Sequence, residues 1–124
     1  MVTTQAVFDL EETRGVLVVS PLGDAVGYRD ADVAREVEVV LTKIDQMTPP
    51  GVVVDLGHAN YFGSSMIGAV SSFEVRVQER GGAFAACLVS EDMQQVLRVM
   101  KLDSRWPLFD TRKAAVKFVR KRLK

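Results

Sequence analysis

The strongest constraint on the fold is the spacing of three short apolar runs, each separated from the next by a longer amphipathic stretch. Val16-Leu-Val-Val-Ser20 is rich in β-branched residues and stops at Pro21, as strands do. Gly51-Val-Val-Val-Asp-Leu56 is apolar without alternation, the pattern of a strand covered on both faces. The alanines of Ala83-Phe-Ala-Ala-Cys-Leu-Val89 also suit a helix, but Gly81-Gly82 before the run and Ser90 after it favour a strand. A fourth strand is expected over roughly Ala6 to Leu10 and a very short one over Pro107 to Phe109.

The intervening stretches have helical periodicity. Between Asp30 and Met47, the residues Val33, Val37, Val40, Leu41, Ile44 and Met47 form one stripe, with Arg35, Glu36, Glu38 and Lys43 largely off it. Pro49-Pro50 ends that helix. From Ser64 to Arg80, Ile67, Val70, Phe73 or Glu74, and Val77 fall at helical spacing, and Gly81 offers a left-handed terminus. Ser90 suits the cap of a helix carrying Met93, Val96, Leu97 and Met100. Thr111 suits the cap of a last helix that turns Ala115, Val116, Val119 and Leu123 inward. Parallel strands need right-handed crossovers, here supplied by the helices. The expected fold is therefore α/β, one domain over residues 1–124, with a small mixed and mostly parallel sheet of 4-5 strands packed by about four helices.

Charge and cysteine usage narrow the function classes. Lys plus Arg and Asp plus Glu each number 16, for a net charge of zero over 124 residues. A global attraction to nucleic acid or anionic lipid is not expected, although a local patch stays open. The one cysteine, Cys87, has no partner for an internal disulfide, which fits a reducing compartment. The start MVTTQAVFDLEE has neither a basic region nor an apolar core, and no apolar run reaches the ~20 residues that span a bilayer. A cytoplasmic protein without a membrane span is expected.

Catalytic chemistry finds little to work with. His58 is the single histidine. A pair with Cys87 is formally available, but that thiol lies in an expected buried strand, where thiols are inert. No spacing supplies the ligands zinc needs, and Gly81-Gly82 follows a helix rather than preceding one, so it is no phosphate loop. Asp55 at a strand end and Asp24 in a turn read as solvated caps rather than an acid/base pair. No enzyme activity, cofactor or metal is expected.

The segment Asn60-Tyr-Phe-Gly-Ser-Ser-Met-Ile-Gly68 stands between a strand and an amphipathic helix. Ser64 suits the N-cap, which places Ser65 in the first turn with its hydroxyl directed outward. The positive end of the helix favours an anion there. A phosphoserine at position 65 would be tolerated while adding about −2 charge. On residue types alone both serines read as helix caps.

The chain resembles the STAS domain family, which includes bacterial anti-sigma factor antagonists. The family pattern is a strand ending in D-L, a short loop, D-S-[ST]-G-[LIV]-G, a helix ending near R-G-G, then a strand. Its counterparts here are Val52-Val-Val-Asp-Leu56, Gly63-Ser-Ser-Met-Ile-Gly68, Glu79-Arg-Gly-Gly82 and Ala83 to Val89. Further on, Val96-Leu-Arg-Val-Met-Lys-Leu-Asp103 is similar to the family's V-L-x-x-x-G-L-D stretch, and Phe109-Asp-Thr-Arg-Lys-Ala-Ala-Val116 to the start of its final helix. The resemblance implies a STAS-like fold and a phosphorylation site at Ser65, with Ser64 as the second candidate. It implies that the unphosphorylated domain binds an anti-sigma factor that is also a serine kinase, and so frees a sigma factor. Phosphorylation would end the binding and a phosphatase would restore it. Partner contact falls to Asp24, Tyr61, Phe62, Gly63, Ser64, Ser65 and Met66, although Phe62 equally suits core packing.

Two positions depart from the pattern: Gly63 stands where the family usually has Asp, and Met66 where it usually has Gly. The missing carboxylate opens an alternative, a STAS scaffold subunit of a larger signalling or lipid-transport assembly that docks without phosphorylation. Met66 beside Ser65 either obstructs a kinase cleft or supplies an apolar anchor.

The last helix carries Lys113, Lys117, Arg120, Lys121 and Lys124 opposite its apolar stripe. In a neutral chain these read as a solvated face with cations well placed near a helix C-terminus. A basic patch for nucleic acid, anionic lipid or an acidic partner is the other reading, and direct nucleic-acid binding is not expected. Trp106 before Pro107 either covers a core edge or, if exposed, marks an interface. An exposed edge strand would let two copies pair as a homodimer.

Overall fold

The computed structural model describes residues 2–4, 7–22, 30–59 and 63–123. In chain order the elements are β1 (Val2–Thr4), β2 (Phe8–Thr13), β3 (Val16–Pro21), α1 (Asp30–Asp45), β4 (Gly51–Asp55), α2 (Ser64–Glu79), β5 (Ala83–Cys87), α3 (Glu91–Val99), β6 (Leu108–Phe109) and α4 (Arg112–Arg122). The strands form one six-stranded sheet in the order β1-β2-β3-β4-β5-β6. Strands β1, β2 and β3 pair antiparallel, and β3 to β6 run parallel. The sheet is mixed and mostly parallel, as expected. It has one strand more than the sequence signals, the three-residue β1.

The β2–β3 hairpin explains a shift in the second strand, which was expected to end near Leu10. Arg14 and Gly15, the two turn residues, both have positive φ (52° and 79°), the conformation that tight hairpins with right-handed twist require. That turn pairs Thr13 with Val16 and Glu11 with Val18, so Glu11, Glu12 and Thr13 are strand residues despite their polarity.

Both faces of the sheet are covered in its middle. Val16 and Val18 of β3, Val53 of β4, and Ala85 and Cys87 of β5 pack against Ala115, Val116 and Val119 of α4. The alternate residues Leu17, Val19, Val52, Val54, Phe84 and Ala86 meet Val40, Ile44, Val70, Phe73, Met93 and Leu97 on the opposite side. Trp106 is fully buried on that side, 6.3 Å from the ring of Phe84. It is a core residue, and its Nε1 is the one buried side-chain polar atom without a hydrogen-bond partner among the described residues.

Two acids expected in solvent are buried instead. Glu36 is 5% exposed. Its Oε1 accepts from the backbone N–H of Val7 (2.9 Å) and of Phe8 (3.1 Å), and its Oε2 accepts from Val7 (3.1 Å). It lies a turn from both Val33 and Val40, on the inward side of α1, and its charge is matched by backbone donors at the start of β2. Asp55 is 4% exposed. It accepts from Arg112 Nε (2.8 Å) and from the Gly57 N–H (2.9 Å). Arg112 also donates to Glu11 (2.8 Å) and Ser20 (3.4 Å), so one guanidinium ties α4 to three strands. Across the α1–α2 contact, Arg76 and Arg80 each donate to Asp45 at 2.7 Å. The Arg76 guanidinium holds that carboxyl below the ordinary carboxylate range.

Candidate functional site

In open parallel sheets, loops at the carboxyl ends of the strands are the usual place for function. Here the carboxyl end of β4 leads into residues 56–59 and then into α2. Asp55 holds the Gly57 N–H, Leu56 donates to the carbonyl of Cys87 (3.0 Å), and Ala59 donates to that of Leu56 (3.1 Å). Gly57 and His58 are exposed, whereas Leu56 and Ala59 are buried. The loop is thereby pinned at its base and open at its tip.

Helix α2 begins one residue earlier than expected. Its N-cap is Gly63 (φ −83°, ψ −171°), with no side-chain hydrogen bond to cap it and no acidic residue in the first turn. Ser64 and Ser65 are therefore the first two helical residues, and both are exposed. Helix α3 is capped by the Ser90 hydroxyl accepting from Met93, and α4 by that of Thr111 accepting from Ala114, as the sequence indicates. The start of α2 thus keeps the positive end of its dipole without an anionic side chain of its own.

Met66 does not stand at the edge beside Ser65. It is 1% exposed and belongs to the core with Ala69, Val70 and Phe73. One helical step rotates the side chain from the serine face to the sheet face, so Met66 neither blocks access to Ser65 nor offers an apolar anchor. Asp24, Tyr61 and Phe62 lie outside the described residues.

Leu88 is a feature of this edge that the sequence does not signal. Strand β5 ends at Cys87 rather than Val89, and Leu88 takes φ 59° with 43% exposure. A left-handed backbone at a bulky non-glycine residue is rare and recurs at functional edges. The side chain leans over the loop: a Cβ added at Gly57 would meet Leu88 Cδ1 at 3.1 Å. Leu88 stays in place because its N–H donates to the carbonyl of Phe109 (3.1 Å).

Cys87 is fully buried, while His58 lies exposed on the loop. Burial pushes the thiol up to about 12, and the Asp55 carboxylate adds to the rise. Against the ordinary thiol at 9.0, the thiolate fraction at neutral pH falls roughly a thousandfold. Iodoacetamide near neutral pH is expected to label Cys87 at least about a hundredfold more slowly in the folded protein than in guanidinium. Equal rates, followed by mass spectrometry, would show an accessible thiol and contradict its packing. Among the described residues no three His, Cys, Asp or Glu side chains gather as a metal cluster. No described helix is long and apolar enough to cross a membrane.

Residues 7–115 match the STAS domain family. The fold is similar to that of an anti-sigma-factor antagonist (STAS) domain protein from Planctomyces limnophilus, at 28% identity and a TM-score of 0.78 over 93% of this chain and 99% of that one. It is also similar to the anti-sigma factor antagonist SpoIIAA in its unphosphorylated form, at 21% identity and a TM-score of 0.74, covering 92% and 96% of the two chains. The phosphorylated form of that Bacillus cell fate determinant gives 19% identity and a TM-score of 0.65, covering 90% and 98%. No curated protein sequence matches the chain at a significant level. With the family pattern running through almost the whole sheet and its helices, the chain belongs to the STAS domain family.

Proposed function

We propose that this protein is a binding module of the anti-sigma factor antagonist type, working in a phosphorylation-controlled partner-switching circuit of the bacterial cytoplasm. Unphosphorylated, it binds an anti-sigma factor that is also a serine kinase, which frees a sigma factor for transcription. Phosphate on Ser65 breaks the complex and a phosphatase restores it. The observation that carries this reading is the start of α2, where an exposed serine sits in the first turn of a helix whose N-cap, Gly63, makes no side-chain cap and whose first turn holds no acid. Such a turn tolerates a phosphoryl dianion within the fold. The same dianion must be desolvated or repelled when a partner docks on that edge. SpoIIAA, a structural relative, is known in both an unphosphorylated and a phosphorylated form.

The proposed contact face comprises Gly63, Ser64 and Ser65, with Asp24, Tyr61 and Phe62 included from the sequence reading and Leu88 added by its exposure at the same edge. Its chemistry is that of a protein-binding surface rather than a catalytic centre. A scaffold STAS subunit that docks constitutively is the second reading, and Gly63 in place of the family's Asp is the observation that favours it.

The test is an affinity capture from the native cell extract with wild type, Ser65→Ala and Ser65→Glu, with retained proteins and phosphopeptides identified by mass spectrometry. A kinase-type anti-sigma factor is expected on wild type and Ala, with retention by Glu at least about tenfold lower. An identical partner set for all three, with no phosphate on Ser64 or Ser65, would replace the switch by the scaffold.

A further inference from the structure

Helix α4 covers the middle of the sheet, including Val16 and Val18 of β3, but leaves the polar end of β2 partly open on that side. Between helix and hairpin runs a groove of about 610 Å³. Thr13, Arg14, Lys113, Val116, Lys117 and Arg120 line it, together with the strand-bound Arg112. Lys113, Lys117 and Arg120 recur at helical spacing along one face of α4, and the hairpin turn brings Arg14 to meet them. Arg112 is neutralised by Asp55 and Glu11. The other four cations have no carboxylate within ion-pair distance among the described residues. In a chain of zero net charge, four uncompensated cations around one concavity are not a consequence of composition. Lys113, Lys117 and Arg120 are all exposed, as a solvated face requires, and they share the groove with Arg14. Lys121 is exposed outside the groove, and Lys124 lies outside the described residues.

We infer that this groove is a binding site for a soluble ligand carrying two phosphate groups. Its volume falls within the range of small-molecule sites, and a concave site fits a compact ligand better than a flat bilayer. Phosphate fits the charge, because each phosphoryl group brings about −1.5 to −2. Two such groups therefore match four cations. Arg14 and Arg120 can each present a planar fork to phosphate oxygens, and the two lysines act as mobile point charges. Val116 adds apolar surface to the lining for the body of the ligand. The site lies on the α4 face of the sheet, opposite the α2 face, and its occupancy does not depend on Ser65.

The test is a titration of the full chain with inorganic pyrophosphate at low salt, followed by amide NMR shifts and calorimetry. Saturable binding is expected, with the largest shifts at Arg14, Lys113, Lys117 and Arg120. Lys117→Glu with Arg120→Glu is expected to weaken it at least about tenfold, and the milder Gln pair several-fold. Lys121→Glu, the same charge change on the same helix outside the groove, is expected to leave affinity within about twofold. Circular dichroism confirms that each variant is folded. Shifts scattered over all lysines, or equal losses from Lys121→Glu and the groove pair, would overturn the proposal. So would phosphatidylglycerol vesicles binding through these residues while pyrophosphate does not, since that result would assign the cations to a membrane surface.

Discussion

Replacing Gly82 by alanine is expected to destabilise the protein by about 3 kcal/mol or more. A Cβ at this position would overlap the carbonyl oxygen of Pro50 and would lie 2.8 Å from Pro50 Cγ and 3.0 Å from Pro50 C. Overlap with a flexible side-chain tip could relax by a rotamer change, but overlap with backbone cannot. The same Pro50 carbonyl accepts the N–H of Ala83 at 3.0 Å, the bond beside the first β4–β5 pair, Gly51 with Ala83. Moving either strand to admit a methyl group therefore loosens the central ladder at its first rung. Gly82 also closes α2: its N–H donates to the carbonyl of Val77 (2.9 Å), and that of Gly81 to Gln78 (3.1 Å), a helix stop of the Schellman type. Gly81 is the internal control. It has φ +71°, but a methyl group there would meet only open space, so Gly81→Ala is expected to cost only about 1 kcal/mol of backbone strain. Thermal unfolding is expected to drop by roughly 10 °C or more for the Gly82 variant and by a few degrees for the Gly81 variant. Equal losses at the two positions would contradict the close approach of Pro50.

The contrast between these glycines marks where sequence reasoning stops. Gly81-Gly82 reads as a helix end followed by a strand, and that is what the chain does. Which glycine is there for its backbone angle and which for its missing side chain depends on Pro50, more than thirty residues away. Strands β3, β4 and β5 were legible because burial on both faces leaves continuous apolar runs. The polar half of β2 was not, because Glu11 and Thr13 lie on the α4 face outside its apolar contact with β3 and β4, where Arg112 of α4 rather than hydrophobic contact secures Glu11. The candidate site divides in the same way. Ser65 in the first turn followed from local periodicity. The exact cap did not, since Gly63 serves through backbone geometry alone. Met66 was misplaced because its orientation depends on one residue of helical phase, about 100° of rotation. Leu88 carries no sequence signal, since leucine ordinarily avoids the conformation it adopts. The cationic groove needed Arg14 to meet α4, and only the closed hairpin and the packed helix place them together.

Glu36 is the clearest case of a long-range contact hidden by a charge, and its removal is expected to be nearly as damaging as the Gly82 change. Glu36→Ala strips the partners from the N–H groups of Val7 and Phe8, both on residues with 0% exposure. Two buried donors left unsatisfied cost about 1–3 kcal/mol each. Removing the carboxylate also removes its own desolvation cost, which offsets part of that loss, so a net of about 3 kcal/mol is expected. Glu36→Gln separates the causes. Oε1 alone accepts from both Val7 and Phe8, and Oε2 adds a second contact to Val7 at 3.1 Å. An amide with its oxygen in the Oε1 position keeps both donors satisfied, so its loss is expected to stay near ~1 kcal/mol. Urea unfolding of the full chain gives the two values, and amide exchange at Val7 and Phe8 tests their origin. Both amides are expected to exchange much faster in the Ala variant and close to the wild-type rate in the Gln variant. If Gln is as damaging as Ala, the negative charge itself holds β2 against α1. If exchange at Val7 and Phe8 is unchanged in both, these bonds do not anchor the strand, and the buried carboxylate needs another explanation.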